Sequence, residues 1–100
     1  MKNIENKGLE LNVPELKQPI KTTYFQLILD QVKATPKEGF SYDLMKKVSR
    51  VDLLLDKAIV WAEVPVEDAD LEFIKEKING AQWAFYAPEI IEFMEYIKAL

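Results

Sequence analysis

The sequence contains no cysteine and no histidine, and its only serines are Ser41 and Ser49. Without cysteine there is no disulfide to hold the fold and no thiol to act as nucleophile or metal ligand. Without histidine the usual general base for a Ser or Thr nucleophile is missing. Neither serine occupies a strand-to-helix elbow of the kind that exposes a hydrolase nucleophile. The glycines, Gly8, Gly39 and Gly80, are isolated, which excludes a phosphate-cradling loop. No apolar run exceeds five residues, the length of Ala58 to Ala62, against about 20 for a membrane-spanning helix. Residues 1–7 lack the apolar segment of about 7–15 residues that marks a signal peptide. These absences predict a non-enzymatic protein with no cofactor and no metal, neither secreted by a signal peptide nor transmembrane.

What is present is a globular composition, 49% hydrophobic and 30% charged in 100 residues, enough for one domain with one core. The net charge of −4 conceals an asymmetry: residues 1–50 carry nine basic against six acidic groups, residues 51–100 four against eleven. Either both halves are ordinary solvated surfaces, or a basic face on one copy meets an acidic face on another. An acidic body repels phosphate, so direct nucleic-acid binding is not expected.

The clearest helical period lies in 41–58. Leu44, Val48, Val51, Leu55 and Ala58 fall at spacings of four, three, four and three, with Met45 and Leu54 widening the face. This helix is expected to be the spine of the core, capped by Ser41 after the Pro36–Gly39 loop. Before it, Thr22 or Thr23 caps a shorter helix whose face is Phe25, Ile28, Leu29 and Val32. A third helix runs from Asp68 to about Ile78 and stops at Asn79-Gly80 in a left-handed turn; a fourth opens at Pro88. Between them Trp83, Phe85 and Tyr86 are expected to anchor an ordered loop. Residues 59–64 read as a short strand or, preferably, as a last helical turn and an extended connector closed by Pro65.

Residues 1–21 have no helical period. Leu9, Leu11 and Val13 alternate with polar residues, and Pro14 and Pro19 exclude a long helix, so this stretch is expected to be an extended arm or a loose terminus. The predicted fold class is mainly α: a compact bundle of about four short helices (22–100) with an extended N-terminal arm (1–21) and only minor β pairing.

The acidic group at 67–72 has the alternation of a calcium loop but fails its template. With Asp68 first, the sixth position is Phe73 in place of glycine, and the twelfth is Asn79 in place of a bidentate glutamate. Helix capping accounts for these carboxylates better. Lys46, Lys47, Arg50 and Lys57 form a basic strip interrupted by Asp43, Asp52 and Asp56, better suited to an acidic protein surface than to DNA bases. The candidate interface is therefore Leu9, Leu11 and Val13 on the arm, Lys46, Lys47 and Arg50, the connector Trp61, and Asp68 and Asp70. The expected partner is a protein, foremost a second copy in a homo-oligomer, with no small-molecule substrate and no membrane.

A short helix, then Pro36, Gly39, Phe40 and Ser41, then Arg50, then Glu67-Asp68-Ala69-Asp70, Trp83, Pro88, Ile91 and Phe93 in a terminal apolar helix, follow in an order that resembles small helical proteins encoded by phages and prophages. The resemblance spans about two thirds of the chain and implies a phage structural or assembly role rather than an activity, in the host cytoplasm or the virion. The expected function is a protein–protein interaction module that self-associates within a larger assembly. The alternative is a monomeric regulatory or accessory protein that binds a host protein or nucleic-acid complex.

Overall fold

A computed structural model describes residues 1–83 and 86–100. The elements run β1 (Lys2–Glu5), β2 (Gly8–Leu11), β3 (Ile20–Thr23), α1 (Tyr24–Val32), α2 (Tyr42–Leu55), β4 (Glu63–Val66), α3 (Asp68–Asn79) and α4 (Pro88–Ala99). The expectation of a mainly helical bundle with an extended N-terminal arm is overturned. Four strands form two separate antiparallel pairs, β1 with β4 and β2 with β3, so the fold mixes α and β. The arm is absorbed into the domain: Ile4, Leu11 and Val13 are buried in the same core as the helices.

Strand pairing explains how the prolines are accommodated. Glu5 directs its N–H away from β4, to the Tyr96 hydroxyl at 3.0 Å, and antiparallel pairs alternate inward and outward. Asn3, two residues earlier, therefore forms a non-hydrogen-bonded pair with Pro65. The missing N–H of Pro65 falls on the open edge, where it removes no ladder bond and discourages a further strand. Pro65 thus sits inside β4 and does not terminate it.

Local signals place the helix ends well. Thr23 accepts a hydrogen bond from Gln26 N at 3.2 Å, and Ser41 from Leu44 N at 3.1 Å. Pro88 opens α4 in its first turn, where a missing N–H costs nothing. Gly39 has φ +78° and turns the chain into α2. Gly80 does not take the left-handed conformation expected of it; its φ is −92°.

The spine is α1, not α2. Six of its nine residues are buried, because it touches α2, α3 and β3 at once. In α2 only Val51 and Leu55 are buried. Leu44, Val48, Leu54 and Ala58 pack against the core in part, while Met45 is 55% exposed. A strong period shows that a helix has one buried face, whereas depth depends on how many neighbours surround it. α4 completes the core with Ile90, Phe93 and Ile97, and Tyr24 and Trp83 meet Phe93 edge-on, with ring centroids 5.0 and 6.2 Å away. Trp83 is half-buried and Tyr86 is exposed. Phe85, the other aromatic expected in this loop, lies outside the described residues.

α4 is also tied to the strands near its start. Glu89 Oε1 accepts from Asn12 Nδ2 at 2.7 Å and more loosely from Asn12 N at 3.4 Å. The carboxyl group is held below the ordinary glutamate pKa, first by its own main-chain N–H in the opening turn of α4 and then by Asn12, against partial desolvation. A depressed folded-state pKa means that this latch contributes fully at neutral pH and is lost as pH falls through that value. Acidification below the usual carboxylate range is thus expected to loosen residues 12–19, read as faster amide exchange there, and Glu89→Gln should remove that part of the pH dependence. Equal acid sensitivity in the variant would show that Glu89 is not the latch.

Candidate protein-interaction surface

The surface is built around Asn6, the only buried polar or charged residue among the described residues, at 2% exposure. Burying an amide is tolerable only if its donors and acceptor are met. Asn6 Oδ1 accepts from Phe25 N at 2.9 Å, inside the first turn of α1. Its Nδ2 donates to Ile59 O at 3.1 Å and, less closely, to Ala58 O at 3.4 Å. One side chain thus joins the β1–β2 link, the start of α1 and the chain leaving α2.

The Asn6 main chain holds the same connection from the other side. Trp61 N donates to Asn6 O at 2.6 Å, and Asn6 N donates to Ala62 O at 2.8 Å. Two residues therefore face one, which is the pattern of a β-bulge whose first position lies in the left-handed region and is ordinarily glycine. Here that position is Trp61, with φ +70°, the one non-glycine residue with positive φ among those described. A side chain in this conformation costs about 1–2 kcal/mol.

The bulge turns residues 59–61 outward as a knuckle. Ile59 is 76%, Val60 46% and Trp61 58% exposed. Beneath it lies Gly8, where an added Cβ would come within 2.9 Å of Val60 Cγ2. The absence of a side chain at Gly8 therefore lets the knuckle sit down on β2. Half-buried Leu9 and the cross-strand pair Glu10 and Lys21 line a shallow depression beside the indole.

Behind it, Lys7 Nζ stands 4.6 Å from the Tyr96 ring centroid and 5.8 Å from that of Tyr24. Burial raises the Tyr24 pKa, reinforced by the nearby Glu92, Tyr96 and Glu5.

The residues expected to form an interface are not brought together. Leu11 and Val13 are 2% and 8% exposed and belong to their own core, so they do not present an apolar arm to a neighbour. Leu9 is half-buried. Arg50 donates to Asp70 at 3.2 Å and lies 3.6 Å from Glu67, so part of the basic-to-acidic complementarity is satisfied within one chain. Lys46 lies over the Tyr42 ring and Lys47 over Phe73. Asp68 is an exposed first-turn residue of α3. Trp61 alone among the nine is a largely exposed apolar group.

A groove of about 810 Å³ runs along α3 and carries both signs of charge, including Lys47, Lys98, Glu72 and Glu76 around the Arg50–Asp70 pair. Among the described residues no three carboxylates converge as a metal site would require. No described helix is long and apolar enough to cross a membrane.

Two features escape sequence reasoning. Asn6 shows nothing in its neighbourhood to mark it as buried, since its partners are 19 to 56 positions away. The second is the outer face of α2, where Tyr42, Met45 and Leu53 are 74%, 55% and 81% exposed. Their spacing was available as a signal, but it is masked by the stronger stripe on the opposite side. Comparison with protein families, with characterised proteins and with solved structures returns no match.

Proposed function

We propose that this protein is a non-enzymatic protein–protein interaction module that self-associates within a larger assembly, docking through the Ile59–Val60–Trp61 knuckle. The resemblance to phage-encoded proteins supports a phage particle as the setting of that assembly. The observation that carries the reading is Trp61: a large aromatic at a glycine position, more than half exposed. Tryptophan is the residue type most enriched at the energetic centres of interfaces, and strained conformations persist where the surroundings enforce them, often at functional sites. A core role would hide the indole; here the Asn6 bonds hold it out. Around the knuckle Glu10 and Lys21 balance one another, so a second copy meets no field of one sign.

The test compares Trp61→Gly with Trp61→Ala. Glycine adopts φ +70° without strain, so the Gly variant is expected to be the more stable of the two by about 1 kcal/mol, read from urea unfolding. Both should lower the concentration-dependent molar mass seen by light scattering, while Trp61→Phe retains it. A wild-type chain that stays at 11.6 kDa at every concentration would remove self-association as the function. Undiminished mass in both variants would remove the knuckle as its site.

A further inference from the structure

We propose that a second copy of this chain adds its β3 antiparallel to the open edge of β3, joining two β2–β3 pairs into one four-stranded sheet. The pairing rests on the self-association read above and gives it a geometry.

The hydrogen-bond pattern selects β3 among the four strands. In a two-stranded pair each strand keeps one open edge, and three of the four are engaged or interrupted. On β1 the outward Glu5 N–H donates to the Tyr96 hydroxyl at 3.0 Å. On β4 the outward position is Pro65, which has no N–H. Just past β2, the Asn12 N–H donates to Glu89 at 3.4 Å. β3 has no such guard. Tyr24 N donates to Lys7 O at 2.9 Å, which fixes the alternation: Ile20 and Thr22 bond toward β2, while Lys21 and Thr23 turn their main-chain groups to the open side. Neither of those N–H groups has a protein partner among the described residues. A lysine can itself guard an edge by its charge, but here Glu10 stands directly across the pair from Lys21 and balances it.

Extended main chain is what satisfies such an edge, and one register suits a second copy. Outward residues must face outward residues, so a two-fold pairing centres on Lys21, Thr22 or Thr23. Centred on Lys21, it sets two lysines directly opposite and calls on Pro19 for an N–H that it lacks. Centred on Thr23, it sets Lys21 against Phe25, whose N–H is held by Asn6 inside α1. Centred on Thr22, it sets Lys21 against the second copy's Thr23 and Thr23 against the second copy's Lys21. Every outward N–H then meets a carbonyl, and no lysine meets a lysine.

The same register brings the joint to the knuckle. Across the outer face of the joined sheet one row runs Glu10, Lys21, then the second copy's Thr23 and Gly8. Lys21 is two strand spacings of about 4.8 Å from that Gly8, on which the second copy's Val60 rests. Trp61 lines the depression with Lys21 and Thr22, so the indole leans toward the joint, where the other copy's Lys21 can lie over its face. Strand and knuckle thus belong to one contact.

Because the chain has no cysteine, single-cysteine variants read the register directly. In a non-hydrogen-bonded antiparallel pair the Cα atoms lie about 4.5 Å apart, within the span of a disulfide. Thr22→Cys should therefore form a linked dimer on mild oxidation, with loss of the monomer band. Lys37→Cys, on the loop before α2, is the collision control and should remain monomeric. Linkage of Thr22→Cys no faster than the control, or slower than that of Lys21→Cys, would overturn the proposal. Lys21→Pro tests the bonds themselves, since it gives β3 the device that Pro65 gives β4 and removes no bond to β2. Its circular dichroism should be native while its association weakens about tenfold or more; Lys21→Gln keeps the N–H and should weaken it less. Undiminished mass in Lys21→Pro, with association lost in Trp61→Gly, would overturn the strand pairing and leave the knuckle standing. A wild-type chain monomeric at every concentration would end both.

Discussion

Replacing Leu11 with Asp is expected to unfold the protein at room temperature, not to release an arm from an intact helical domain. Leu11 is 2% exposed at the end of β2, paired with Ile20. The substitution forfeits about 2 kcal/mol of apolar burial and puts a carboxylate among the apolar residues of the core. Uncompensated buried charge belongs with the most damaging single changes, about 4–5 kcal/mol or more. That approaches the entire stability of an ordinary domain, about 5–15 kcal/mol. Far-UV circular dichroism should show helix content lost together with the strands. Leu16→Asp is the control, because Leu16 is 50% exposed, and it should leave the spectrum unchanged. A Leu11→Asp chain with native helix content would restore the independent arm and contradict the mixed fold.

Asn6→Ala is expected to be nearly as costly, although it removes no apolar contact. It leaves the Phe25 N–H and the Ile59 carbonyl without their partner, and each unsatisfied buried group costs about 1–3 kcal/mol. A total of about 3 kcal/mol corresponds to a fall in melting temperature of roughly 12–24 °C in a domain of this size. The loss should be specific in place: Trp61 depends on the same connection, so its fluorescence should change before global unfolding. Asn6→Asp keeps the acceptor for Phe25 and loses the donor to Ile59, and it places a carboxylate against a carbonyl. It should therefore rescue little. A melting temperature within a few degrees of wild type in both variants would show that water replaces the amide and that Asn6 does not organise the knuckle.

The two predictions separate two kinds of cohesion. Leu11 is held by the hydrophobic effect, which is non-directional and set by area. Asn6 contributes direction: its bonds specify which chain segments meet and force the bulge that turns Trp61 outward. The proposed interaction surface thus depends on a polar group that the core could not hold without all of its partners.

Gly8 links the two. As a residue of β2 it belongs to the sheet that presents Leu11, and its missing side chain admits Val60.

The sequence by itself determined the features decided by neighbours in the chain. The four helices, the Thr23 and Ser41 caps, the start at Pro88 and the bend at Gly39 follow from side chains acting within a turn of their own backbone. It also determined which face of each helix is apolar, and hence most of Ile28, Ile74, Phe93 and Ile97 as core. Only the tertiary structure decided which strand pairs with which, because β1 finds β4 some sixty residues away, and a four-residue alternation does not name its partner. It decided as well that α1 is the most enclosed helix, that Leu11 and Val13 belong to their own core, and that Arg50 meets Asp70 in the same chain. Asn6 and Trp61 lie at the limit of this division. Their residue types suit many environments, and the bulge that buries one and exposes the other exists only once segments far apart in the chain are hydrogen-bonded together.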